Sequence, residues 1–160
     1  MRFVLNSKAI GGYRFQESTF YGTKHTGTDW VANGWVLYAP TNGNIVATPW
    51  DYGGGQWVNF QGDDGVLHLF AHLSKAFPIG RYAEGQQIGV TGNTGNYTTN
   101  AHLHEQIYKG GNLINPETYY SGGTGVNMDE TIRQIGVRLD NVGGTLGQHQ
   151  ALIDGIGVRL

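Results

Sequence analysis

A chain of 160 residues with 39% hydrophobic and only 14% charged residues is long enough for one domain with a real core, and too apolar for a solvated, disordered chain. Ten basic against twelve acidic residues leave a net charge of -2, which removes any electrostatic case for nucleic acid or an anionic membrane as partner. The absence of cysteine excludes disulfides and thiolate metal sites, so a metal centre must be built from His, Asp and Glu.

In chain order, the first eight residues hold an apolar run of only three, Phe3-Val4-Leu5, far too short for the core of a signal peptide. No stretch approaches the ~20 apolar residues of a membrane span. The expectation is a protein without signal peptide or membrane insertion. Residues 2–5 read as an edge strand. Residues 9–28, rich in Gly, Ser, Thr and aromatics, read as irregular loop and lead into Lys24-His25-Thr26-Gly27-Thr28-Asp29-Trp30. Trp35 to Tyr38 is a strand, Asn42-Gly43 a tight turn, and Asn44 to Trp50 the next strand. Gln56 to Phe60 and Val66 to Leu73 are strands joined by an Asp/Gly turn. In the second of these, alternation puts Val66, His68, Phe70 and His72 on one face. Gln86 to Val90 is another strand. A polar loop, 91–100, leads into an extended stretch in which His102 and His104 share a face roughly 6.5–7 Å apart. Asn112 to Pro116 closes the domain. Short strands at ~8–12-residue spacing, with 27 glycines to turn them, predict a mainly β, antiparallel sheet or sandwich over residues 1–120.

Beyond it, Gly122-Gly123-Thr124-Gly125 marks a Gly-rich linker at 121–128, and the tail 129–160 differs in kind. Ile132, Leu139, Leu146, Ile153 and Leu160 are spaced by seven, with Ile135, Val142, His149 and Ile156 offset by three. This a/d pattern predicts a helical linker or a self-associating element. Six glycines, each costing about 1 kcal/mol in a helix interior, make a lone helix marginal.

The histidines carry the chemistry. A catalytic zinc site takes three protein ligands from His, Asp and Glu and leaves one position for water. His25, Asp29 and one of His102 and His104 supply such a set. Two neutral histidines and one carboxylate leave a net charge of +1 to acidify water and polarise a carbonyl. The remaining histidines, titrating near 6.5 when unperturbed, suit proton transfer. His68 and His72 compete for that part, since both fall on one face of their strand.

The set formed by residues 24–30, by Leu69-Phe70-Ala71-His72-Leu73-Ser74 and by Ala101-His102-Leu103-His104 resembles the lysostaphin/LytM-type zinc metallopeptidases, which cut peptide bonds in bacterial peptidoglycan. The stretch Gly85 to Gly95 and the closing Asn115-Pro116 are similar to that family as well. The resemblance covers about residues 10–120 with order and spacing intact. It implies a small antiparallel β domain with a groove over the metal, His25, Asp29 and His104 as ligands of Zn2+, and His72 and His102 as the catalytic pair. It also implies groove walls at about 9–23, 50–55, 75–84 and 92–100, with Tyr13, Tyr21, Trp50, Tyr52 and Tyr97 as substrate-groove residues. The chain departs from the family at Phe70, where a Tyr is usual, at Ala101, where a Pro is usual, and at Glu105, where an apolar residue is usual. If Phe70 replaces a substrate-holding hydroxyl, rate or specificity should differ. Glu105 alternates with the two histidines and should face away from the metal.

The function implied is zinc-dependent hydrolysis of peptide bonds in peptidoglycan, in a cross-bridge or a stem peptide. The alternative is a catalytically silent module that binds peptidoglycan or scaffolds a partner. Such modules lack ligands, whereas all five positions are filled here. The expected setting is a phage lysin made in the host cytoplasm and acting on the cell wall, or a wall hydrolase carried on a virion. If the tail self-associates, light scattering should give a mass that rises with concentration, and deleting residues 126–160 should abolish the rise. A mass unchanged by the deletion would identify the tail as a connector.

Overall fold

The computed structural model describes residues 1–121. Among them the chain forms, in order, β1 (Thr28–Val31), β2 (Val36–Tyr38), β3 (Gly43–Ala47), β4 (Trp50–Asp51), β5 (Gly55–Gly62), β6 (Val66–Ala76), β7 (Gly80–Tyr82), β8 (Gln87–Thr91), β9 (His102–Lys109), β10 (Asn112–Ile114) and a short helix, α1 (Pro116–Ser121). The linker expected beyond Ser121 and the heptad tail at 129–160 lie outside the described residues.

All pairings are antiparallel, and the main path through the sheet runs β1-β9-β6-β5-β3-β7. Two long strands, β6 and β9, form its spine. β10 continues the β9 edge beyond β1, and β8 lies beside the far end of β6 and pairs with β2. The β5–β6 hairpin closes at Asp63-Asp64-Gly65, where Gly65 takes φ 78° and Asp64 Oδ1 accepts the Val66 N–H at 3.2 Å. Helix α1 starts on Asn115, whose Oδ1 accepts the Glu117 N–H at 2.8 Å, with Pro116 at the first helical position.

Alternation sorts the side chains. One face of the sheet carries the core: Val58, Phe60, Phe70, Leu73, Leu103 and Ile107 are fully buried there or nearly so. Glu105 lies on that face too, with no exposure. Its carboxylate accepts hydrogen bonds from Trp30 Nε1 (2.9 Å) and the Tyr120 hydroxyl (2.7 Å), and meets His68 Nδ1 at 3.0 Å. A buried carboxylate is tolerable only with donors of this kind around it. These contacts tie β1, β6 and α1 to β9 on the side opposite His102 and His104, as the alternation predicts.

Four expectations need correction. Residues 2–5 form no strand; Val4 and Leu5 are buried, and the segment makes two backbone bonds to residues 38–40, the Arg2 N–H donating to the Pro40 carbonyl at 2.8 Å and the Val4 carbonyl accepting the Tyr38 N–H at 2.9 Å. The single strand expected at 44–50 breaks after Ala47, because Pro49 has no N–H for the ladder, and resumes as β4. Residues 80–82 form β7 on the outer edge of β3, paired at Gly43 to Ile45. Finally, His72 does not share a face with Val66, His68 and Phe70, for a reason given below.

Replacing Glu105 with Ala should cost about 3 kcal/mol or more, because the Trp30 and Tyr120 donors lose a buried acceptor. Urea denaturation measures this, and Glu105→Gln, which keeps a carbonyl oxygen, should cost less.

Candidate metal centre

Asp29 and His104 face each other directly across the β1–β9 ladder, and Ala71 faces His104 from β6. Both functional side chains therefore leave the sheet on the face opposite Glu105. His25 joins them from the preceding turn, which lies flat on β9 because Gly27 has no side chain; a Cβ there would stand 2.2 Å from the Glu105 carbonyl oxygen. The result is three donor atoms in one place. His104 Nδ1 is 2.9 Å from Asp29 Oδ1, His25 Nε2 is 3.0 Å from His104 Nδ1, and His25 Nε2 is 3.3 Å from Asp29 Oδ1. The second oxygen of Asp29 accepts the Tyr13 N–H at 3.1 Å, which fixes the carboxylate plane.

His72 reaches the same face through a bulge. Val58 pairs with Phe70, but Gln56 pairs with Leu73, so β6 carries one residue more than β5 between these points. His72 takes the left-handed conformation there, φ 62°, which costs a non-glycine residue of order 1–3 kcal/mol. Its N–H donates to the Gly54 carbonyl at 2.8 Å. The extra residue puts Ala71 and His72 both on the metal face and returns Leu73 to the core. Strict alternation would have buried His72 beside His68. His68, with no exposure, stays in the core against Glu105, which resolves the competition between the two.

Each imidazole is held at its other nitrogen. His25 Nδ1 donates to the Arg14 carbonyl (3.2 Å), His72 Nδ1 to the Thr94 carbonyl (2.8 Å) and His102 Nδ1 to the Asn100 carbonyl (2.7 Å). His104, whose Nδ1 faces the donor cluster, has its Nε2 3.1 Å from the Gln106 carboxamide, which also meets Thr26 Oγ1 at 3.0 Å. A backbone carbonyl accepts only, so His25, His72 and His102 turn unprotonated Nε2 atoms inward when neutral. The His72 and His102 rings stand 4.6 Å apart, and His102 Nε2 is 3.6 Å from Asp29 Oδ1.

The electrostatics follow from burial and this pairing. Burial works against the charged Asp29 carboxylate, but hydrogen bonds from His104 and His25 outweigh it and hold the carboxyl well below its usual range. Burial likewise opposes a charged His25, yet the Asp29 carboxylate prevails and its pKa rises. For His104 burial wins over Asp29 and the pKa falls. His72 is pushed down to about 4, mainly by burial, with the Thr94 carbonyl opposing and His102 and His104 adding to the fall.

The cluster floors a cleft of about 550 Å³. Tyr13 and Tyr21 line it from one loop and Tyr97 from another, with Gly53, Gly54 and the Trp57 ring between them. Tyr21 and Tyr97 touch across it, ring centres 5.8 Å apart. Trp50 and Tyr52 are outside this wall, 63% and 73% exposed; Tyr52 reaches the cleft only by its edge contact with Tyr97. Residues 75–84 do not wall it either, since they run to β7 on another edge of the sheet. Trp57, Thr94 and Gln106 were missed. Gln106 had a signal, two residues after His104 and so on its face. The Arg14, Thr94 and Asn100 carbonyls had none, because a backbone carbonyl is the same in every residue.

The family model "Peptidase family M23" matches residues 23–116. The chain belongs to peptidase family M23. An uncharacterized metalloprotease of Haemophilus influenzae is 31% identical over 114 residues, 69% of this chain and 24% of that protein, so the chain spans about a quarter of this curated relative's length. The structure is similar to the catalytic domain of the antimicrobial peptidase lysostaphin from Staphylococcus simulans, with TM-score 0.60 and 29% identity over 68% of this chain and 89% of that one. It is also similar to the catalytic domain of the prophage-encoded M23 protein EnpA from Enterococcus faecalis, with TM-score 0.60 and 25% identity over 71% of this chain and 92% of that one.

The M23 donor set fits zinc. Tetrahedral bonds of about 2.0–2.2 Å put neighbouring donors about 3.3–3.6 Å apart, so opening the observed 2.9–3.3 Å triangle by a few tenths of an ångström accommodates the ion. Among the described residues, this is the group of three or more His, Asp or Glu donors close enough to hold a metal. Phe70 needs a correction against the family pattern. It is fully buried on the core face, 5.7 Å from the His68 ring, so a hydroxyl there would point away from the cleft and could not hold substrate.

The pKa of His72 has a consequence for stability. In the metal-free protein an unfolded histidine takes its proton near 6.5, whereas folded His72 resists until about 4. The unfolded state binds more protons in that window, so stability falls as pH drops from about 6.5 to about 4. Thermal denaturation of the chelated protein should show Tm falling over that range, and more shallowly for His72→Gln. An unchanged slope in the variant would exclude a buried neutral imidazole.

Proposed function

We propose that this M23 chain is a zinc-dependent endopeptidase that hydrolyses peptide bonds in bacterial peptidoglycan, with His25, Asp29 and His104 holding the metal and His72 and His102 acting on substrate. The observation that carries the reading is the convergence of His25 Nε2, His104 Nδ1 and Asp29 Oδ1 on one point, with two further imidazoles on the same face. Zinc held there supplies a Lewis acid, which acidifies water and polarises a carbonyl. Asp29 keeps its charge through its two histidine contacts and so offsets half of the ion's. His72 and His102 present Nε2 lone pairs to the cleft, so one takes the proton of the attacking water. The imidazole that has taken it carries an inward N–H, available to the oxyanion and then to the leaving amine. Because both rings are anchored at Nδ1, neither must reorient between the two steps.

The likeness to lysostaphin, an antimicrobial peptidase, supports a bacterial target, and a cleft lined by Gly53 and Gly54 supports an extended peptide. The likeness to a prophage-encoded protein supports a phage-borne enzyme acting on the wall. Purified peptidoglycans of differing cross-bridge, digested with and without chelator, test the substrate by mass analysis of the fragments. Cleavage that survives chelation would sink the reading. His25→Ala and Asp29→Ala should lose zinc. His72→Ala and His102→Ala should keep it and lose turnover by roughly 10²–10⁴-fold. Zinc loss in His102→Ala with full retention in His104→Ala would reverse the ligand assignment.

A further inference from the structure

The turn Gly92-Asn93-Thr94-Gly95 adds no side chain to the donor cluster, yet Thr94 is bound into the His72 bulge at several atoms. Its hydroxyl lies between Gln56 and Leu73, the residues that face each other where β5 and β6 resume pairing. It accepts the Gln56 N–H at 3.0 Å and donates to the Leu73 carbonyl at 2.8 Å. It thus ties a backbone group of β5 to a backbone group of β6 beside the bulge. The carbonyl of the same residue accepts His72 Nδ1–H at 2.8 Å. Nothing larger than glycine fits behind it: a Cβ on Gly55 would stand 2.4 Å from Thr94 Oγ1.

A hydroxyl bonded to both strands fixes the gap between them where β6 carries its extra residue. With the gap held, His72 stays in its left-handed conformation and its Nδ1 stays within reach of the Thr94 carbonyl.

We propose that Thr94 is a positioning residue for His72: its hydroxyl braces the β5–β6 bulge while its carbonyl orients the ring with Nε2 toward the cleft. This rests on the catalytic part given to His72 above. Thr94→Val keeps the shape and removes both hydroxyl bonds, and Thr94→Ser keeps the hydroxyl.

The test uses the zinc-loaded full chain, with kinetics, zinc content, Tm and the imidazole 1H–15N spectrum measured together. In the parent, His72 should show a protonated Nδ1 and an unprotonated Nε2. Thr94→Val should lower kcat by roughly 10–100-fold, the scale expected when a catalytic group is displaced by about 1 Å, with KM and zinc content near those of the parent. It should also mix the two His72 tautomers. Thr94→Ser should recover most of the kcat and the parent tautomer. Parent-like kcat in Thr94→Val, equal losses in the Val and Ser variants, or a His72 unprotonated at Nδ1 in the parent would each overturn the proposal. Should Thr94→Val fail to fold, Thr94→Ser and the parent tautomer still decide it. Full turnover by His72→Ala would sink the catalytic reading itself, whereas an inactive His72→Ala beside a fully active Thr94→Val would sink only this inference.

Discussion

Asp29 and His104 occupy one rung of the β1–β9 ladder, and the candidate metal centre depends on that register. Side chains in a strand alternate, so a slip of one residue would send His104 into the core and bring Glu105 to the cleft. The register is held from behind. Glu105, next to His104 in sequence and opposite to it in direction, binds Trp30 of β1, Tyr120 of α1 and His68 of β6. A slipped strand would separate this buried carboxylate from its donors, which is costly in a dry core. Glu105, one of the residues that depart from the pattern of the resembled family, is thus part of what keeps the candidate metal ligands facing one another.

The two faces of the sheet use histidine differently. On the core face His68 is a hydrogen-bonded structural residue, packed 5.7 Å from Phe70 and 3.0 Å from the Glu105 carboxylate. On the other face four imidazoles crowd around one carboxylate. There, backbone or amide groups behind each ring settle which nitrogen points inward. That arrangement suits a site whose ligands must be neutral to bind a cation. It also means that loop backbone at residues 14, 94 and 100 belongs to the site as much as the rings do.

His72 shows how the loops and the sheet are joined. A regular β6 would have no imidazole beside His102. One extra residue, held at positive φ and bonded to Gly54 and Thr94, turns a core position into a cleft position. The glycines around it allow the 51–55 and 92–100 loops to approach closely enough to supply those bonds. The local strain of the bulge is the physical cost of bringing a side chain from β6 to a site otherwise built on β1 and β9.

What the sequence by itself determined was the donor chemistry and the facing of the HxH strand. The pair His102/His104 was legible because its spacing has meaning under period-two alternation, and His25 and Asp29 were candidates because a cysteine-free chain must build a metal site from His, Asp and Glu; the choice of His104 over His102 as ligand came from the family resemblance. The same alternation placed Glu105 behind the site. It misplaced His72, since a bulge breaks the period and leaves no compositional mark when the left-handed residue is not glycine. It extended β3 through Pro49, and it took 75–84 for a groove wall because a loop's direction depends on which strand edge is free to receive it. Only the tertiary structure decided how His72 of β6 reaches the cleft, which carbonyls orient the rings, and which of the candidate aromatics border the cleft. Each of these depends on contacts between segments far apart in the chain, and side-chain periodicity carries information only along one strand.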